Sequence, residues 1–138
     1  MIGVIFLTRR RILLKALEPY GMTLKQYSLL GYIKRRGPIT PSEAAELLFC
    51  DRPTASVILA NCRRKGWLGR ERSSGDGRSY AITLLPAGEA AYEEARSRGA
   101  IRRADIDPLD VLGPAERARF VESLGKVYKR ALELGSGR

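Results

Sequence analysis

The stretch TPSEAAELLFCDRPTASVILANCRRKGWLGRERSSGDGRSYAITLL, Thr40 to Leu85, decides the fold because two helix starts are followed by a change of hydrophobic period. Its first four residues fit a capping box with a proline at the first helical position, which predicts a short helix ending near Leu48. Asp51 can cap a second helix, which ends at Gly66. The apolar stripe of this second helix is formed by Ala55, Ile58, Leu59 and Cys62.

After Gly66 the hydrophobic pattern becomes alternating. Trp67 to Arg72 and Ser79 to Leu84 predict two short strands, and the segment between them has the composition of a tight turn. A β-hairpin is therefore the economical interpretation. A short helix, a second helix with a basic end and a hairpin together predict a winged helix-turn-helix.

Helices are also predicted on both sides of this motif. Thr23 to Gln26 fits another capping box, and the helix that it starts stops at Gly37. Gly113-Pro114 starts a last helix. Apolar residues recur at helical spacing near the N-terminus (Ile5, Ile12, Leu13, Ala16, Leu17) and in the last helix (Phe120, Leu124, Val127, Ala131).

The predicted fold class is mainly α with a small β-hairpin, in a single domain. A winged helix-turn-helix lobe spans residues 22–85. A helix opened by Pro86 runs to about Ala104. Because the apolar stripes outside the motif need cover, residues 1–20 and 86–135 are interpreted as dimerisation helices.

The charge balance favours a polyanionic partner. The chain of 138 residues has 25 Lys and Arg against 15 Asp and Glu, a net charge of +10, which favours nucleic acid first and an anionic membrane surface second. The N-terminal apolar run is too short to span a bilayer and its positive charges follow it, so neither a signal peptide nor an anchor is expected. With only two cysteines, the chain is expected in the cytoplasm, with no membrane partner.

Two compositional facts limit the chemistry. The chain has no histidine, which excludes Ser-His-Asp and Cys-His nucleophiles and every His-ligated metal. Cys50 and Cys62 are too few soft ligands for a structural zinc site. A phosphate loop at Gly75-Asp76-Gly77 would need to open a helix, whereas a strand is predicted there. Carboxylate-only or magnesium chemistry stays open, but no acidic cluster nominates it, so no catalytic residue, metal or cofactor is predicted and the chain is not expected to be an enzyme.

The positive charge is concentrated on the motif. Between Arg52 and Arg78 lie seven basic and two acidic residues, a net charge of +5, half that of the whole chain. A generic solvated surface would not require this concentration. It indicates a contact with DNA through the second motif helix and the hairpin.

Four segments resemble one known family. They are MTLKQYSLL from Met22, ITPSEAAELL from Ile39, DRPTASVILANCRRKGWLGR from Asp51 and DGRSYAITLLPAG from Asp76. With them the chain resembles the MarR-family transcriptional regulators over nearly its whole length, most closely from Met22 to Gly88. The last segment has the family's wing spacing at Asp76, Arg78, Leu84 and Gly88.

Three residues depart from the family's pattern. Leu85 stands where a threonine usually caps the next helix, and Phe49 replaces a usual glycine. Val57 stands where a basic or polar recognition residue is common, so this departure bears on base specificity.

The resemblance implies a homodimer that places two recognition helices in successive major grooves of a pseudo-palindromic operator, with half-sites about 34–36 Å apart. Family members commonly act as repressors that a small aromatic or phenolic molecule releases from DNA, and activators occur too. The expected partners are therefore double-stranded DNA, a second copy of the chain and such an effector. The alternative function is a winged-helix module that binds proteins without specific DNA binding.

The candidate DNA-binding residues lie off the apolar stripe of the recognition helix or on the wing. Thr54, Ser56 and Asn61 are expected to face base edges or phosphates, and the start of the helix is expected to bring a basic side chain to a phosphate. Arg78 is expected in or beside the minor groove. The full set is Arg52, Pro53, Thr54, Ser56, Val57, Asn61, Arg72 and Arg78.

The wing tip is expected to be shaped by Gly75, Asp76 and Gly77, because glycine accepts positive φ and the carboxylate can accept hydrogen bonds from Arg78 or from tip amides. Core packing is the preferred interpretation of Cys62 and also of Cys50, for which a redox role stays open. Packing is likewise preferred for Tyr27. An effector pocket remains the alternative for the aromatic side chains of Tyr20, Tyr27, Tyr32 and Trp67.

Overall fold

A computed structural model describes residues 1–72, 80–98 and 107–136. The described part of the chain contains six α-helices, one short 3₁₀ turn and one two-stranded sheet. In chain order these are α1 (Ile2–Leu17), the 3₁₀ turn (Glu18–Tyr20), α2 (Leu24–Arg36), α3 (Pro41–Leu47), α4 (Arg52–Arg64), β1 (Leu68–Arg72), β2 (Tyr80–Leu84), α5 (Pro86–Arg98) and α6 (Pro114–Ser136). The predicted fold class, mainly helical with one hairpin, is confirmed.

The chain divides into two compact units, Met1–Ile106 and Asp107–Arg138. The first unit contains the whole winged helix-turn-helix. Within the second unit, Asp107 and Arg117 form an ion pair and Glu116 accepts a hydrogen bond from the Gly113 amide at 3.0 Å, so α6 has a defined start. The assignment of residues 22–85 to a DNA-binding lobe and of 1–20 and 86–135 to dimerisation, in a single domain, stays a prediction.

Both predicted capping boxes are present. The Thr23 hydroxyl accepts from the Gln26 amide at 3.2 Å while the Gln26 side chain accepts from the Thr23 amide at 3.0 Å. Thr40 and Glu43 repeat this exchange at 3.2 and 2.7 Å. Because each exchange satisfies two backbone donors that the helix leaves unpaired, α2 and α3 begin where the sequence predicts.

The hairpin is antiparallel, with Leu68 opposite Leu84 and Arg72 opposite Tyr80. The first strand begins one residue later than predicted, at Leu68. Ile39, between α2 and α3, adds an isolated bridge to Ile82, and the two residues exchange backbone hydrogen bonds of 3.1 and 2.7 Å. This bridge attaches the base of the wing to the helical body. The hairpin tip, residues 73–79, lies outside the described residues.

The core of the first unit forms around α2, which contacts α1, α4, α5 and β2. The largest fully buried side chains come from four different elements: Leu17, Leu29, Leu30, Cys62 and Ile82. Burial of these chains at roughly 1.5–3 kcal/mol each is the main stabilising contribution to the lobe. The stripe predicted on α1 is buried only at its C-terminal end, at Leu13 and Leu17.

Two glycines allow α5 to approach the rest of the lobe closely. A Cβ on Gly88 would lie 2.2 Å from the Trp67 carbonyl oxygen, and one on Gly31 would lie 2.7 Å from the Tyr92 ring. Leu85 donates its amide to the same Trp67 oxygen at 3.0 Å. The segment that leads from β2 into α5 therefore packs directly against the backbone of Trp67, just before β1. The helix predicted to reach Ala104 is α5, which spans Pro86–Arg98, and residues 99–106 lie outside the described part.

Phe49, in the turn between α3 and α4, has a left-handed backbone with φ of +47°. This conformation is costly for any residue with a Cβ, which explains why glycine is usual there in the family that the sequence resembles. The side chain is 78% exposed, so its burial contributes little in return.

We expect Phe49→Gly to be more stable than Phe49→Ala by about 0.5–1 kcal/mol, because glycine avoids the cost of the left-handed backbone. The greater flexibility of glycine in the unfolded chain offsets only part of this gain. Both variants lose the same exposed ring, so the pair isolates the Cβ. Urea unfolding followed by circular dichroism measures the difference. An alanine variant as stable as the glycine variant would contradict the left-handed turn.

Candidate nucleic-acid interface

The start of α4 is fixed by its cap. Asp51 accepts a hydrogen bond from the Thr54 amide at 2.8 Å, as the sequence predicts. The hydroxyl and the backbone N–H of Thr54 lower the pKa of the Asp51 carboxyl, which is therefore ionised at neutral pH. A carboxylate at this helix terminus also suits the helix dipole, so the first turn of α4 is ordered before any ligand binds.

One face of α4 is committed to the core. Ala55, Leu59 and Cys62 are buried and Ile58 is half-buried, which confirms the predicted apolar stripe. The remaining side chains of the helix are directed outwards. Five of the predicted DNA-binding residues are exposed on this helix: Arg52, Pro53, Thr54, Ser56 and Val57.

Asn61, the sixth predicted residue on α4, is half-buried. Its Oδ1 accepts a hydrogen bond from Arg64 Nη2 at 2.7 Å. The pair leaves the two N–H donors of the Asn61 amide directed away from that bond. Arg64 is also held beside the outward face, a role that sequence reasoning did not assign to it, although the i, i+3 spacing is the available signal.

The end of α4 sets the direction of the wing. Gly66 has φ of +70°, its amide donates to Arg63 at 2.9 Å, and the Trp67 amide donates to Cys62 at 3.0 Å. This is a Schellman ending, which turns the chain directly into β1. The Lys65 side chain is held by contacts within the lobe, since its Nζ donates to the Gly21 carbonyl at 2.5 Å and lies 4.3 Å from the centre of the Trp67 ring.

On the wing, sequence reasoning missed a pair formed by Arg70 and Tyr80. The Arg70 guanidinium lies 4.0 Å from the centre of the Tyr80 ring and donates to its hydroxyl at 3.0 Å. The observed register places Arg72 opposite Tyr80 and Arg70 opposite Ile82, so Arg70 and Tyr80 are diagonal neighbours across the hairpin. The pair presents a planar cation on the exposed side of the strand.

The rest of the predicted wing site lies at or beyond the end of β1. Arg72 ends β1, but its side chain lies outside the described residues. Gly75, Asp76, Gly77 and Arg78 lie wholly outside them. Their roles in DNA contact and in wing shape stay predictions.

Comparison with known proteins gives the family. A sequence model described as MarR family matches residues 20–79. The Multiple antibiotic resistance protein MarR of Salmonella typhimurium is 32% identical over 88 residues, 64% of this chain and 61% of that protein. A mutant of E. coli MarR solved in complex with operator DNA has a TM-score of 0.76 at 26% identity, and the match covers 91% of this chain and 89% of that one.

Residues 20–79 of the chain match the MarR family, and its fold is that of solved MarR proteins.

The chain is also similar to an uncharacterised HTH-type transcriptional regulator, YwoH of Bacillus subtilis. It is 32% identical over 78 residues, 56% of each chain. The chain thus spans about three-fifths of the length of these two relatives. MarR-family proteins are transcriptional regulators, which confirms the prediction that the chain is not an enzyme.

Over residues 1–72, 80–98 and 107–136, no three His, Cys, Asp or Glu side chains are grouped as a metal site would need. In those same residues, every helix is too short or too polar to cross a membrane. A cavity of about 270 Å³, lined by parts of α2, β2 and α5, lies below the roughly 300–1,000 Å³ of typical ligand pockets.

The aromatic side chains considered for an effector pocket are accounted for by packing. Tyr20, Tyr27, Tyr32 and Trp67 are all half-buried against the core. Tyr27 stacks on Tyr92 with ring centres 4.9 Å apart and an interplanar angle of 28°. Burial, and next the neighbouring Tyr92, raises the pKa of the Tyr27 phenol, which therefore stays neutral. The core position predicted for Tyr27 is consistent with this packing.

The two cysteines differ in environment. Cys62 is completely buried, and burial raises its pKa to about 11, so the thiol packs as a small apolar group, as predicted. Cys50 is half-buried and packs against the edge of the core. Its amide donates to the Ala45 carbonyl at 3.1 Å, closing the turn between α3 and α4.

We expect Cys62→Ser to lower the free energy of unfolding by about 1–3 kcal/mol, because it places a hydroxyl in an apolar core. Cys50→Ser, the matched control, should cost less. In the parent, stability should also fall as pH rises from the ordinary thiol pKa of 9.0 towards about 11, since the unfolded chain loses this proton first. Urea unfolding as a function of pH measures both effects. A Cys50→Ser variant less stable than Cys62→Ser would contradict the burial assigned to Cys62.

Proposed function

We propose that the chain is a sequence-specific, double-stranded DNA-binding transcriptional regulator, acting in the cytoplasm as a homodimeric repressor. The observation that carries the proposal is the outward face of α4. This face is exposed and has no acidic side chain from Arg52 to Arg64, while the opposite face is fixed in the core. A helix in this arrangement can enter a major groove without repelling phosphate.

In this proposal the polar residues on the outward face of α4 have distinct roles in binding DNA. Arg52, at the first turn, contacts a phosphate, where the helix N-terminus also favours negative charge. Thr54, Ser56 and the Asn61 amide reach base edges or phosphates. Asn61 retains its two N–H donors beside the Arg64 hydrogen bond, so it can donate to an acceptor on a base.

The wing is proposed to contact the flanking DNA. Arg70 is held over the Tyr80 ring on the hairpin, and it presents a cation on the exposed side of β1. Arg72 contributes a second cation, and Arg78 reaches the minor groove or its phosphates. Gly75, Asp76 and Gly77 shape the tip. The crystal structure of a mutant of E. coli MarR in complex with operator DNA supports a DNA-binding role for a chain with this fold.

Dimerisation is proposed through the helices outside the motif. Six α1 side chains that precede its buried end are apolar and exposed: Ile2, Val4, Ile5, Phe6, Leu7 and Ile12. The predicted stripe of α6 is exposed as well, including Phe120, Leu124 and Val127. Exposed apolar faces of this extent are typical of a protein interface, and obligate interfaces bury on the order of 2,000 Å² or more.

Release from DNA is proposed to follow binding of a small aromatic or phenolic effector, as the family resemblance implies. A repressor of this kind would bind a pseudo-palindromic operator in its unliganded state. The alternative, a winged-helix module that binds proteins, predicts no salt-sensitive binding to duplex DNA.

The function is tested by selecting binding sequences from a random duplex pool and measuring affinity by fluorescence anisotropy across a salt series. We expect one enriched sequence, bound more weakly as salt rises because phosphate contacts release counterions. Arg52→Ala and Arg78→Ala should each weaken binding and lower the salt slope by about one unit.

The matched control is Lys126→Ala, which removes one positive charge from α6 on the side away from its apolar stripe, where Lys126 pairs with Glu122 at 2.8 Å. It should leave the slope unchanged. If no sequence is enriched and affinity is insensitive to salt, the DNA-binding proposal fails and the protein-interaction module takes its place.

Sedimentation equilibrium tests the dimer. We expect the parent at twice the chain mass of 15.3 kDa, and a Leu124→Glu variant shifted towards the mass of one chain because it places a charge on the apolar stripe. Lys126→Ala again serves as the control and should stay dimeric. A folded parent at the mass of one chain at micromolar concentration would overturn this part of the proposal.

A further inference from the structure

The centre of the outward face of α4 is apolar. Pro53, Val57 and Ala60 are all exposed, and Val57 is 61% exposed. Their spacing of four and three residues aligns them along one ridge of the helix. At about 100° per residue the ridge lies roughly opposite the buried Ala55, Leu59 and Cys62. These three side chains are therefore the part of α4 that projects farthest from the core.

The ridge is bordered by donors and cations. Thr54 and Asn61 lie along one side of it, and Ser56 lies along the other. Arg64 continues the ridge at its C-terminal end and is tied to Asn61 at 2.7 Å. Since no carboxylate lies on the helix after the Asp51 cap, the ridge is apolar within a surface that is otherwise complementary to a polyanion.

An apolar group at the centre of a major groove has one chemical counterpart. Of the four bases only thymine presents a methyl group there, at C5, and aliphatic side chains contact it. Valine suits such a contact because its branched side chain is stiff at χ1 and holds its methyl groups in a fixed position.

We propose that the ridge of Pro53, Val57 and Ala60 reads thymine C5-methyl groups in the operator, with Val57 as the central specificity residue. This inference rests on the proposed DNA-binding function and adds to it the feature of the base that is read. It also assigns a role to Val57 that its side chain can perform without any hydrogen bond.

A protein partner fits the ridge less well. Binding energy at protein interfaces is concentrated in aromatic and arginine anchors that fill pockets, whereas this ridge offers three small side chains and no aromatic ring. The bordering cations would also have to be paired or solvated at such an interface. Against DNA, the phosphates on both sides of the groove supply that pairing.

The test replaces thymine by deoxyuridine, one position at a time, in the duplex enriched by selection with the full chain. Deoxyuridine pairs as thymine does and lacks only the C5 methyl. At one or more positions we expect an affinity loss of about fourfold, the value for removing one methyl group from a buried contact. Replacements outside the enriched sequence control for effects on DNA shape.

Val57→Ala identifies the residue responsible. The deoxyuridine penalty should fall towards onefold with Val57→Ala at the position that Val57 contacts, and persist with Val111→Ala, which removes the same atoms from a valine that is 82% exposed in the second unit. Val57→Thr, close in shape and retaining one methyl group, supplies the same measurement if Val57→Ala binds too weakly. Thermal unfolding checks that each variant is folded.

The outcomes separate the two proposals. An enriched, salt-sensitive sequence whose thymines can all be replaced without loss overturns the methyl reading and leaves DNA binding intact. A penalty that is the same in the parent and in both Val57 variants overturns the role of Val57. Absence of any enriched sequence overturns the proposed function and this inference with it.

Discussion

The packing of α4 through Ala55, Leu59 and Cys62 is the interaction on which the rest of the interface depends. It fixes the rotation of the helix about its own axis, and with it the identity of every residue that is directed outwards. A rotation by one residue, about 100°, would bury Ser56 and expose an apolar stripe to water. The Asp51 cap and the Schellman ending at Gly66 fix the two ends of the helix, so the outward face is set before DNA is present.

The sequence was sufficient for the elements because their signals are local. The capping boxes at Thr23 and Thr40, the cap at Asp51 and the alternation on either side of the hairpin each involve residues within a few positions of one another. Such patterns depend on contacts between residues close in the sequence, so they can be recognised without knowledge of the fold. The same holds for the buried stripe of α4, whose helical period is visible in the sequence.

Contacts between elements were not predictable in this way. The bonds of Lys65 to Gly21 and of Lys34 to Glu89 join residues far apart in the chain. Nothing in the sequence distinguishes these two lysines from lysines whose side chains are simply solvated. Arg70 over Tyr80 is an intermediate case, because it follows from the hairpin register once that register is accepted. The left-handed turn at Phe49 was concealed because glycine, the residue that marks such turns, is absent there.

In the proposed complex with DNA, the arrangement of α4 separates affinity from specificity. Its cations and hydroxyl groups lie at the ends and borders of the outward face, where phosphates would be met, and the contribution of the cations is screened as salt rises. The ridge of Pro53, Val57 and Ala60 lies at the centre, where a contact with a methyl group is apolar and nearly independent of salt. Raising salt therefore weakens every duplex alike and leaves the ratio between sequences largely unchanged. In the contact proposed for Val57, a valine in place of a polar recognition residue gives up hydrogen bonds to bases, and in exchange discriminates by the shape and hydration of a single methyl group.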